Sequence, residues 1–237
     1  MNRNNFFSIF LLTFFTGTVF YCDPGFGQPL PVQINQQASL KEDQILYNGR
    51  LWHNLYQEIK GDQFLFSNGY LPGSLTINCK SYNNLGIRYD IYNDEIITLT
   101  NHGSNLQLNK EMVDSFSLVY NLKTYRFKNS MEDSLPGIKG YIYVLYKGKS
   151  ALYVKYKKEI QPLAVDNKYD LFKQTYRIYF VKAGTVNQIN SKNELLKVLY
   201  EDKAQIKDFI KKNKLKISKY EPESFIPVIR YYDSLSL

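Results

Sequence analysis

From Ile45 to Lys128 apolar and polar residues alternate in short runs. Leu75 and Ile77 alternate with Thr76 and Asn78. Leu85, Ile87, Tyr89 and Ile91 alternate with Gly86, Arg88, Asp90 and Tyr92, and Leu106 and Leu108 with Gln107 and Asn109. A period of two puts successive side chains on opposite faces, so each run predicts a strand with one wet face. Asn93-Asp94 supplies a tight hairpin and His102-Gly103-Ser104 a further turn, which together predict an antiparallel meander. Val113–Tyr120 and Thr124–Phe127 continue it. Asn129 to Gly137 then breaks the alternation with a long polar loop, placing the internal boundary of the chain at 129–139.

Past that loop the strands change character. Tyr141 to Tyr146 and Ile178 to Val181 are apolar or aromatic on both faces, and such strands need cover on both sides. Lys147-Gly148-Lys149 and Ala183-Gly184 read as hairpin turns. The expected cover is the C-terminal tail, whose period switches to that of a helix. Ser191 with Glu194 three positions on forms a capping box ahead of Leu195, Leu196 and Leu199. Ile206, Phe209 and Ile210 mark a second helix, and Glu221–Tyr232 a third, with Pro222 near its first turn and Pro227 as an interruption. The fold class is therefore mainly β (α+β): an antiparallel β-meander closing into a barrel or sandwich, with two or three C-terminal helices packed on it.

The N-terminus carries an address. Arg3, the apolar run from Asn4 to Tyr21 and the small-residue site Gly25-Phe26-Gly27 form an export signal over residues 1–27. The run is too short to serve as a membrane span. Residues 28–44, rich in Gln, Asn and Pro, read as a flexible leader, and 45–237 as a single β-rich domain. The expected location is outside the cytoplasm: periplasmic, outer-membrane-associated or extracellular. Lipidation at Cys22 would want small residues where Phe20 and Tyr21 stand, so it is not expected. Cleavage after Gly27 would leave Cys79 without a partner, and its alternation with Leu75 and Ile77 makes it a buried core thiol.

The net charge of +8 is unevenly spread: residues 139–219 hold 19 Lys and Arg against 7 Asp and Glu, while 28–138 hold 9 against 11. That basic half suggests an anionic neighbour such as an acidic glycan or a lipid surface. Lys203, Lys207, Lys211 and Lys214 recur at helical spacing and would line one stripe of the second helix, which makes them the anion-binding candidates. Export argues against nucleic acid, despite the Lys–Tyr interleaving of Tyr153 to Lys158.

Other chemistry has little to rest on. His53 and His102 are the only histidines, which removes a His-rich metal site, and no cofactor is implied. No nucleophile elbow, phosphate-cradling loop or dinucleotide motif occurs, so no catalytic residue is assigned. Asp90, Asp94 and Glu95 form the closest carboxylate set, and read as turn and strand-edge residues. The first reading is a non-catalytic exported cell-envelope protein that binds a protein partner or an anionic envelope component. The alternatives are a small-ligand or carbohydrate-binding β-barrel, using some of the 21 Tyr, and a carboxylate-dependent hydrolase.

The signal ending Phe26-Gly27-Gln28, the run Tyr89-Asp90-Ile91-Tyr92, the hairpin Tyr143 to Lys149 and the tail from Ser191 through Leu215 together resemble uncharacterised exported β-rich proteins of the Bacteroidota. The resemblance brings no activity or site residues with it. Such proteins are O-glycosylated at Asp-Ser/Thr followed by an apolar residue. Asp133-Ser134-Leu135 and Asp233-Ser234-Leu235 match, which marks Ser134 and Ser234 as glycosylation candidates.

Overall fold

The computed structural model describes residues 46, 48–130 and 135–235; the export signal, the leader and Ser134 lie outside the described residues. Eleven antiparallel strands form one sheet: β1 (Gly49–Leu51), β2 (Leu71–Ile77), β3 (Lys80–Asp90), β4 (Glu95–Leu99), β5 (Asn105–Leu108), β6 (Val113–Tyr120), β7 (Lys123–Asn129), β8 (Tyr141–Lys147), β9 (Ala151–Val165), β10 (Tyr169–Lys182) and β11 (Thr185–Ile189). Their order is β1-β5-β4-β3-β2-β6-β7-β8-β9-β10-β11. Two meanders are thus joined back to back. After β5 the chain returns through a 3-10 turn at Lys110–Met112 and pairs β6 with the other edge of β2.

Tight turns set the register. Asn78-Cys79, Asn121-Leu122 and Ala183-Gly184 each join paired strands with both residues at positive φ, the geometry that matches the natural twist of a hairpin. This corrects the reading of Cys79. The alternation ends at Ile77, and Cys79 lies exposed in the turn, at φ 63°, donating its N–H to Asp114 Oδ2 at 2.7 Å. It is not a core thiol.

The sheet closes into neither a barrel nor a sandwich, since β1 and β11 remain edges. It curls instead. Lys158 N–H of β9 donates to Ile91 O beyond the end of β3 (3.2 Å), and residues 60–65 fill the seam with backbone bonds to both sides. Leu65 N donates to Tyr89 O (2.9 Å), and Phe172 N to Lys60 O (3.0 Å).

Three helices follow: α1 (Lys192–Val198), α2 (Lys203–Lys212) and α3 (Ile226–Leu235). The Ser191 cap forms as expected, Ser191 Oγ accepting from Glu194 N at 3.2 Å, while the reciprocal bond shifts by one residue: Glu194 Oε2 accepts from Asn190 N at 2.6 Å. A helix of seven residues is marginal by itself in water. Leu195, Leu196 and Leu199, all buried, hold it to the sheet at roughly 1.5–3 kcal/mol each. Pro227 is no interruption. It sits in the first turn of α3, after a 3-10 turn at Pro222–Phe225, where its missing N–H costs no helical bond.

The helices cover one face only. On it, Ile178, Phe180, Leu152 and Val154 pack with Ile206, Ile210, Val228, Ile229 and the strands of the first meander in a single core. The other face of β8 and β9, which also needs cover, is not reached by the tail. There Ile142, Ala151 and Tyr153 bury themselves beneath Ile138, supplied by the loop that reads as polar in the sequence.

Helix α3 is pinned by Asp233, which is 8% exposed. Its carboxylate accepts from Ser150 N (3.1 Å) and Ser150 Oγ (2.6 Å) in the β8–β9 turn, and from Tyr146 Oη (2.9 Å). Asp233→Ala would strand the buried Ser150 N–H, and an unsatisfied buried donor costs about 1–3 kcal/mol. The urea midpoint is expected to fall by that free energy divided by the m-value, with m itself unchanged. Ser234→Ala, at the neighbouring exposed position, is expected to leave it in place.

Candidate functional site

The β9–β10 hairpin sorts its residues by parity. Tyr156 pairs with Tyr176 and Val154 with Ile178 on the helix-covered face; Tyr153 pairs with Tyr179, Lys155 with Arg177 and Lys157 with Thr175 on the outer one. The Lys–Tyr interleaving of 153–158 is therefore divided between two environments. Lys158 turns inward and donates to Phe64 O (2.6 Å), Asp62 O (2.7 Å) and Asp62 Oδ1 (3.1 Å). Lys155 and Lys157 face out. Beside them the 135–140 loop brings in Lys139, and Lys128 of β7 places its ammonium 4.7 Å from the centre of the Tyr153 ring.

These groups surround a depression of about 380 Å³, lined by Lys139, Lys155, Lys157, Thr175, Arg177 and Tyr179, with Glu159 and Ile138 at its margins. Lys139, Lys157 and Arg177 are exposed. Lys157 pairs with Glu159 at 2.9 Å, a contact in which both side chains are more than half exposed, so solvent screens it and it is weak. Among the described residues Lys139 and Arg177 make no ion pair.

Lys155 is committed elsewhere. Its ammonium donates to Asp94 Oδ1 at 2.7 Å and to Tyr141 O at 2.9 Å. Asp94, at φ 60° in the β3–β4 turn, also takes Tyr89 Oη (2.6 Å) on Oδ1 and the ammonium of Lys110 on Oδ2. Gly140 lies directly against this carboxylate at φ 77°, and a Cβ there would overlap Asp94 Oδ2. Burial alone pushes the Asp94 carboxyl up, but Lys155 and then Lys110 outweigh it and hold it below the usual range. Burial pushes the Lys155 ammonium down and the Lys110 charge adds to that, while Asp94 only partly restores it.

The other two carboxylates of the set are held high. Asp90, fully buried, caps its own turn by accepting from Tyr92 N and Asn93 N, both at 2.9 Å, and burial raises it despite those bonds. Burial likewise raises Glu95 against the pull of Arg50.

The helix lysines are placed less regularly than their spacing implied. Lys203, Lys207 and Lys211 are exposed on α2, but the helix ends at Lys212, and Lys214 lies beyond the Asn213 cap at φ 50°. The four do not share one helical stripe, because the chain turns left-handed before the last of them. Ser234 is exposed in the last turn of α3, donating to Tyr231 O at 2.6 Å. His53 and His102 are exposed, and among the described residues no three His, Cys, Asp or Glu side chains gather as a metal site. Trp52 stacks on Arg88. On the helix-covered face, Tyr125, Tyr143, Tyr156 and Tyr176 form a row of rings packed on one another, with Tyr176 Oη donating to Lys219 O at 2.6 Å. Comparison with known protein families, with curated proteins and with solved structures finds no match for this chain.

The depression was missed in the sequence because it joins Lys139 to two strands paired far along the chain. One signal pointed to it: Lys155 and Lys157 share the parity of Tyr153, within the basic block.

Asp94→Asn keeps a side chain that tolerates the left-handed turn and removes only the charge. Two lysines then lose their counter-ion. The expected loss is about 2–3 kcal/mol at neutral pH, below the range for a fully buried pair because Lys110 is 35% exposed. The folded Asp94 carboxyl titrates below the unfolded one, so the unfolded state takes up its proton first as pH falls. Its contribution is complete above the ordinary carboxylate range and vanishes as pH drops through the folded value, whereas Asp90 and Glu95, held high, act in the opposite sense. Denaturation across the acid range should therefore show a weaker rise of stability with pH in Asp94→Asn than in the native protein.

Proposed function

We propose that this chain is a non-catalytic exported envelope protein that holds an anionic envelope component on the outer face of its β9–β10 hairpin. The observation that carries the reading is the depression in which Lys139, Lys157 and Arg177 stand together with one exposed carboxylate, Glu159, against them. Like charges collected on one face repel each other, and a bound anion relieves that repulsion. The basic excess of residues 139–219 supports this reading, as does the export signal, which would bring the face into contact with envelope polyanions. The lysines of α2 add to the long-range field, but Lys203, Lys207, Lys211 and Lys214 do not line the depression beside that helix, which Gln205, Asp208, Phe209, Lys212, Asn213 and Tyr231 enclose.

Replacing Lys139, Lys157 and Arg177 together by Ala should lower retention on host envelope fractions at least several-fold at low salt, with the native difference shrinking as salt rises. The companion variant, with Lys203, Lys207, Lys211 and Lys214 all replaced by Ala, should retain most binding. Unchanged retention in the first variant would overturn the reading. All seven positions are exposed, so each substitution is expected within about 0.5 kcal/mol of native stability, which thermal melts check.

A further inference from the structure

Resting on the reading above, we infer that the depression recognises a phosphoryl group, carried by a lipid headgroup or a glycan, with Arg177, Lys157 and Lys139 as its charged partners and Thr175 as a hydroxyl donor. Register supplies the geometry. Thr175 lies directly opposite Lys157, and Arg177 opposite Lys155. Arg177 and Lys157 are therefore diagonal neighbours on one face, with Cβ atoms about 7–8 Å apart. Side chains of that length converge easily on one group between them, and Lys139 enters from the 135–140 loop at the margin.

The donor set favours phosphate over carboxylate. A carboxylate presents two oxygens, whereas a phosphomonoester presents three and carries a charge of about −1.5 to −2 at neutral pH. A guanidinium fork, two ammoniums and a hydroxyl arriving from three separate chain segments exceed what two coplanar oxygens accept. The charge also matches: Lys155 is held by Asp94, which it shares with Lys110, while Lys139 and Arg177 make no ion pair among the described residues and Lys157 is shared with Glu159. That last pair is solvent-exposed and weak, so a dianion displaces Glu159 at little cost.

The space is larger than the anion alone requires. A water occupies about 30 Å³ in the liquid, and the depression measures about 380 Å³, with Tyr179 and Ile138 as an apolar wall. The phosphoryl group would therefore enter with part of the molecule that bears it.

The test uses the mature protein and neutral phosphatidylcholine vesicles doped to equal surface charge with phosphatidic acid or with oleate, followed by competition with glucose 6-phosphate. Phosphatidic acid vesicles should bind at least about ten-fold tighter than oleate vesicles. Arg177→Lys, which keeps the charge and loses the fork, should erase most of that preference. Displacement by millimolar glucose 6-phosphate would mark a phosphorylated glycan as sufficient, and resistance to it with the phosphatidic acid preference intact would mark the lipid headgroup as the source. Equal binding to both vesicles, indifferent to Arg177→Lys, overturns the phosphoryl inference and leaves the general anionic reading standing. Binding to neither vesicle overturns both.

Discussion

The curl of the sheet depends on one carboxylate. Asp94 sits in the turn between β3 and β4, yet its partners come from the 3-10 turn before β6, from the start of β8 and from the middle of β9. Four separate segments thus meet at two oxygen atoms. A buried ion pair contributes little net stability, because desolvating the charges offsets most of their attraction. Its effect is on which structure forms. With Lys110 and Lys155 both aimed at this spot, any register that moved Asp94 away would leave two partly buried ammoniums without a counter-ion. Gly140 enforces the same choice sterically, since no side chain fits between β8 and the carboxylate.

Once the sheet is held in that curl, its two faces have different fates. The inner face receives the helices and closes into one apolar core with Tyr89, Phe116, Phe127 and Tyr141 meeting edge to face around the Asp94 end. The outer face of β8 to β10 has only the 135–140 loop to cover it, and Ile138 shields Ile142 and Tyr153 but reaches no further. Beyond that cover the outward residues must be polar. Lys155, Lys157, Glu159, Lys173, Thr175 and Arg177 all satisfy that requirement, and four of the five charged groups among them are positive.

Local chemistry was legible in the sequence and long-range convergence was not. The strands, the antiparallel pairing, the Ser191–Glu194 cap and the turn at Asn93-Asp94 all follow from residues within a few positions of one another. The turn itself takes four residues, Ile91 to Asp94, between the paired Asp90 and Glu95. That Asp94 would be buried could not be read, because its lysines lie 16 and 61 residues away. Cys79 illustrates the opposite failure. Alternation extended one step too far, into a turn where period two no longer holds. The return of β6 to β2 was likewise invisible, since nothing local distinguishes it from another hairpin. The lysine stripe of α2 was drawn one residue too long for a related reason: spacing in sequence assumed a helix that ends before Lys214.

Two outward-facing strand arginines show why charge alone does not place an anion site. Arg88, on β3 opposite the buried Ile87 and Tyr89, lies between the rings of Trp52, Phe64 and Tyr70, at 4.7, 4.6 and 4.4 Å from their centres. It donates to Asn68 O, Tyr70 Oη and Asn105 Oδ1, so its guanidinium is occupied by the protein itself. An incoming anion would have to displace three aromatic contacts, each worth about 0.5–2 kcal/mol depending on how far it is desolvated. Arg177 stands on an equivalent outward position of β10 with no ring over it and no ion pair among the described residues. The rings around β3 enclose Arg88, whereas Arg177 on β10 stays open. Access, more than net charge, makes the β9–β10 face the place where an anion can be held.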